Sequence, residues 1–75
     1  HAPDPARRAT LLDARVARAE AAEQARDLYI KGRIGYLEAL DAERTLAAAE
    51  AALAASEAQL VDDQVLLFLA LGGGW

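Results

Sequence analysis

The sequence predicts an all-α fold, an antiparallel two-helix coiled-coil hairpin that self-associates into a helical bundle. Three observations predict it. The 75 residues are dominated by Ala, Leu, Arg, Glu and Gln, strong helix formers. Two glycines three apart, Gly32 and Gly35, interrupt that run near the middle. Beyond them, Leu46, Leu53, Leu60 and Leu67 recur every seven residues, the period of a helix that keeps one face against a neighbour.

Element by element, Asp4 before Pro5 reads as a helix start. The carboxylate accepts an orphan amide, and proline at the first helical position loses nothing by lacking an N–H. Thr10 with Asp13 offers a second, later capping pair. No glycine or proline follows until Gly32, so the first helix is expected over 5–31, about 40 Å long. Its candidate apolar stripe, Leu11, Ala14, Ala21, Ala25 and Leu28, is interrupted by Arg18, which leaves its register open.

Residues 32–35 form the expected turn. Gly32 suits the left-handed position that ends a helix, with Lys31 placed against the negative end of the dipole. Gly35 suits an N-cap, with Glu38 three residues on to reach back as in a capping box. So short a connection makes the helices antiparallel neighbours. Tyr29 and Tyr36 flank it, where they either close the end of the hairpin or meet a partner.

The second helix is expected over 36–71, near 54 Å, with a Gly-rich end over 72–75. Besides the leucine row it carries a second stripe, Ala47, Ala51, Ala54, Ala58, Val61, Val65 and Phe68, with Glu43, Glu50, Glu57 and Gln64 between the two. A two-stranded coiled coil needs only one seam, so two imply neighbours on both sides. Alanine, about a quarter of the chain, lets helix axes approach closely.

Composition narrows the function classes. The net charge is −4 and the basic residues are scattered among acids, so no stripe exists to neutralise a nucleic-acid backbone. The longest uncharged apolar run, Val65 to Leu71, falls far short of a membrane span, so no direct membrane insertion of this segment is expected. There is no cysteine, and His1 stands at the chain end with no second histidine, so neither a catalytic site, a metal site nor a cofactor is expected. Asp62 and Asp63 are adjacent and point about 100° apart on a helix, which favours a solvated face over a cation site. The GRIG tetrapeptide at 32–35 matches a nucleic-acid-binding loop, but no strands surround it. Leu37, Asp41 and Arg44 share one face just after the turn. Spacing alone leaves them as an exposed Asp41–Arg44 pair beside an ordinary core leucine.

Taken together, Tyr29, Gly32, Tyr36-Leu37-Glu38, Leu40-Asp41-Ala42 and Arg44-Thr45-Leu46, with the ending Ala70-Leu71-Gly72-Gly73-Gly74-Trp75, resemble the C-terminal region of the TolC-like outer membrane factor family of efflux proteins. The pattern YxxGxxxYLEALDAxRTL followed by ALGGGW spans nearly the whole chain and is closer to the NodT/OprM-like lipoproteins, the multidrug and heavy-metal efflux branch, than to the type I secretion branch. The resemblance implies a segment, here all of 1–75, of a larger trimeric conduit whose β-barrel is continued by a periplasmic α-barrel. It implies an inner-membrane efflux pump and a periplasmic adaptor as partners, and a cargo of drugs or metal ions. It places this hairpin in the periplasm as part of an outer membrane protein, with Leu37, Asp41 and Arg44 lining the tip constriction and Gly32, Arg33, Ile34 and Gly35 forming the turn where the adaptor docks. Gly35 departs from the small polar residue usual at that turn. The competing reading is a structural coiled-coil interaction module with no transport role; an adaptor's own hairpin is a third, against which the GGGW ending speaks.

Overall fold

In the computed structural model, which describes residues 5–73, the chain is an antiparallel pair of helices, α1 (Pro5–Ile30) and α2 (Tyr36–Ala70). They make a rod with extents of 61, 21 and 12 Å. The Asp4 cap, His1 and the final Gly74 and Trp75 lie outside the described residues. Thr10 is not a second start: it lies inside α1, where its hydroxyl donates to the Ala6 carbonyl at 3.0 Å.

Both helices end in the same way. At the end of α1 the Gly32 N–H donates to the Tyr29 carbonyl at 2.9 Å and the Arg33 N–H to the Leu28 carbonyl at 2.7 Å. Gly32 takes φ 73°, the left-handed conformation this double bond requires. At the end of α2 Gly72 (φ 77°) donates to Leu69 and Gly73 to Phe68. The Phe68 ring lies so close over Gly73 that a Cβ there would collide with it. Lys31 pairs with Asp27 one turn back, 2.8 Å from Nζ to carboxylate.

The interface between the helices is narrow. Along α2 the less exposed positions step by three and four: Ala39, Ala42, Leu46, Ala49, Leu53, Ser56 and Leu60. The leucine row therefore faces α1, with small residues filling the alternate positions. On α1 the facing residues are Leu11, Ala14, Ala22 and Ala25. The expected stripe was off at two positions: Ala21 and Leu28 are exposed, and Ala22 is the buried one. Arg18 split the pattern, so periodicity could not choose between the two adjacent alanines. Ala22 (4% exposed) and Ala39 (9%) are the only buried apolar residues among those described, and both lie toward the turn, where alanine on both helices permits a close approach of the axes.

Ion pairs flank this seam along one edge. Arg8 meets Glu57 at 2.9 Å, Arg15 meets Glu50 at 3.8 Å, and Arg26 meets Glu43 at 3.2 Å. The first two share one antiparallel register, which would put residue 22 opposite Glu43. Alanine stands there, and Arg26 reaches back from the next turn. Half-exposed pairs of this kind contribute at most about 1 kcal/mol each, so they set orientation more than stability. In that register Pro5 stands opposite Leu60, and no described residue stands opposite the remainder of α2. Leu67, the fourth of the leucine row, is therefore exposed.

Two outcomes follow. Ala22→Leu forces a branched side chain into a buried alanine position between the helices and is expected to lower stability by about 1 to 3 kcal/mol in chemical denaturation; an unchanged midpoint would mean the contact at Ala22 is not tight. Gly32→Ala, which meets open space and so tests only the left-handed backbone, is expected to cost about 1 kcal/mol, whereas Gly35→Ser is expected to add a few tenths. Thermal melts of the two variants should move in opposite directions.

Candidate tip and outer face of the second helix

The turn is built to be compact, with apolar groups on its outside. Tyr29 and Tyr36 close the end of the hairpin, their ring centroids 5.8 Å apart and tilted by 56°. Between them the chain passes from the left-handed Gly32 to Gly35, whose φ of −81° and ψ of 166° are those of an ordinary N-cap. The Gly35 carbonyl accepts from the Ala39 N–H at 3.2 Å, but no side-chain hydrogen bond caps this end, and Glu38 does not close the capping box. Glu38 instead acts only as a charge in the first turn of α2, favourable against the dipole.

Of the turn residues expected to dock a partner, Arg33 is exposed and Ile34 is half-buried. Ile30 and Leu37, 75% and 76% exposed, stand on either side of the turn with Tyr36 exposed between them. Sequence reasoning passed over Ile30 because it falls at the helix end, outside any stripe. Its exposure gives the tip a second branched aliphatic group.

Leu37, Asp41 and Arg44 all point to solvent. The ion pair that spacing allowed between Asp41 and Arg44 is not formed: among the described residues neither side chain has an ionic partner. The Asp41 backbone carbonyl accepts the Thr45 hydroxyl at 2.9 Å, which orders the helix but leaves the carboxylate untouched. Nor is Leu37 a core residue. By contrast Arg8, Arg15 and Arg26 are each engaged within the hairpin. Asp41 and Arg44 thus present one acid and one base to whatever adjoins this face.

Among the described residues no three His, Asp or Glu side chains converge as a metal site, and Asp63 accepts a hydrogen bond from Gln59 at 3.0 Å while Asp62 points elsewhere. No helix described is long and apolar enough to cross a membrane.

Comparison with known proteins agrees with the resemblance. Over 53 residues, 71% of this chain, it is 42% identical to the probable outer membrane lipoprotein SilC of Salmonella typhimurium. Over the same length it is 46% identical to the cation efflux system protein CusC of Escherichia coli O157:H7 and 43% identical to its counterpart in another Escherichia coli strain. The chain spans 12% of the length of each relative. This similarity supports the outer membrane efflux proteins as its relatives. No protein-family model matches the chain, and no solved structure matches it.

Because Asp41 has no ionic partner among the described residues, Asp41→Ala is expected to change the unfolding free energy of the isolated chain by less than about 0.5 kcal/mol. A loss above about 1 kcal/mol in urea denaturation would show that the Asp41 carboxylate serves the hairpin itself.

Proposed function

We propose that the chain is the periplasmic hairpin of an outer membrane efflux protein, acting as tunnel wall and tip gate without catalysis. One observation carries the reading: a stretch as identical as 42–46% to an outer membrane lipoprotein and to cation efflux system proteins folds as a hairpin whose tip-face acid and base have no ionic partner among the described residues. In the parent, three copies related by a threefold axis would bring Leu37, Asp41 and Arg44 together at a constriction. The Asp41 carboxylate of one copy then meets the Arg44 guanidinium of the next, and the ring of pairs holds the pore shut. Separating them leaves like charges near one axis, which favours opening.

The turn from Gly32 to Gly35, with Ile30 and Leu37 at its edges, would be the docking point for the periplasmic adaptor that links the channel to the inner-membrane pump. The exposed aliphatic side chains supply contact area and Arg33 supplies a charged rim. Similarity to cation efflux system proteins favours metal cations over drugs as cargo. The hairpin would pass such ions along its wall and not hold them, since its acids are spread and partly neutralised by arginine.

The second reading, a structural interaction module with no transport role, draws on the exposed outer stripe of α2, which asks for a neighbour of any kind. Conductance separates the two. In the full-length parent in a planar bilayer, Asp41→Ala with Arg44→Ala is expected to raise the closed-state current severalfold. Unchanged current would remove the gate and leave the module.

A further inference from the structure

The outer stripe of α2 is longer than its alanine centre. From Ala47 to Phe68 it advances by alternating steps of four and three, and the same steps carried toward the turn reach Arg44, Leu40 and Leu37. The row then has ten positions over 32 residues, about 46 Å of helix. It lies on the side of α2 away from α1: nine of the ten positions are exposed, and Leu40 is half-buried.

The apolar members of the row come close to mirroring one another in size, with Arg44 the exception. About a midpoint between residues 52 and 53, Leu37 mirrors Phe68, Leu40 mirrors Val65, Arg44 mirrors Val61, Ala47 mirrors Ala58 and Ala51 mirrors Ala54. Large side chains stand at both ends and only alanine at the centre. We propose that the chain binds a second copy of itself through this row, α2 against α2 and antiparallel, about a twofold axis passing between Ala51 and Ala54.

A twofold interface sets residue i against j and j against i by symmetry, so this row places alanine against alanine at the four central positions and Leu, Val or Phe against one another at the two ends. At the centre, alanine against alanine lets the helix axes approach to the short end of the usual 8 to 10 Å range. Leu37, Leu40, Val65 and Phe68 then cover one another at the two ends. A parallel pair would set each residue against itself, Arg44 against Arg44 included.

Charge points the same way. Arg44 is the one charged residue in the row and has no ionic partner among the described residues. In the antiparallel pair it falls opposite Val61 of the second copy, next to that copy's Asp62, which is exposed and also without an ionic partner among the described residues. Two symmetric Arg44–Asp62 pairs result. Glu50 and Glu57 of the two copies approach along one edge, and each is already countered by Arg15 or Arg8 of its own hairpin. The inference concerns the 75-residue chain alone and stands apart from its role in a larger channel.

The chain has no cysteine, so directed cross-linking reads the arrangement. Ala47→Cys and Ala58→Cys chains are made separately, then oxidised alone and mixed. The expected result is a disulfide between the two variants in the mixture and little in either alone; self-linked Ala47→Cys and Ala58→Cys dimers would mean a parallel neighbour and overturn the proposal. Arg44→Asp is expected to weaken the dimer at least about fivefold in sedimentation equilibrium, with Asp62→Arg in the same chain restoring it. A wild-type chain that sediments as a monomer at micromolar concentration overturns the proposal outright.

Discussion

The constraint on which the structure turns is that two helices can cover only one seam between them. Here the covered seam is thin. Leucines alternate with alanines on α2 and alanines predominate on α1, so among the described residues the helices leave only Ala22 and Ala39 buried. Alanine lowers the entropic cost of forming each helix and shortens the distance between axes, but it withdraws little apolar surface from water. Most of the apolar surface that a larger domain would bury is still exposed here, from Leu37 at the turn to Leu71 at the far end. Such a chain is completed by its neighbours, and its local features are best understood as what each offers to them.

The placement of charge follows from that thinness. With so little interlocking of large side chains, sliding one helix past the other by a turn would cost little in packing. Glu43, Glu50 and Glu57, spaced by seven, have to find arginines on α1, and Arg8 and Arg15, themselves seven apart, satisfy two of them at once. The register is thereby held by groups that add little stability individually. The terminal glycines act on the same problem. Gly32 fixes where α1 stops, and a short turn then determines which residues of α2 can stand opposite it.

Much of this was legible in the residues. Gly32, Gly35 and the glycines after Leu71 mark the helix ends because their backbone chemistry is local, and the heptad of leucines marks a seam because helical period is local too. What could not be read was relational. Two stripes on α2 both qualify as a seam, and nothing within that helix says which one meets α1. Ala21 and Ala22 compete because Arg18 breaks the pattern where it would have decided. The Glu38 capping box fails for another reason: a glycine cap has no hydroxyl to return the bond, so half of the reciprocal pair is missing from the start. The arginine ladder had a signal, two arginines and three glutamates sharing one period on different helices, visible only when both helices are considered together.

The same reasoning applies to Asp41 and Arg44. Three residues apart on one helix, they fit a local ion pair well enough that spacing favours one, yet neither has an ionic partner among the described residues. Arg44 falls in the outer row of α2, among leucines and alanines, where a charge is costly to cover unless an acid comes with the covering surface. Asp41 lies just beside that row. An arginine in an otherwise apolar seam serves specificity more than stability: it rejects a neighbour that brings no carboxylate and aligns one that does. Whether the neighbour is a wall of a channel or another copy of the hairpin, the requirement it must meet is already set by Arg44.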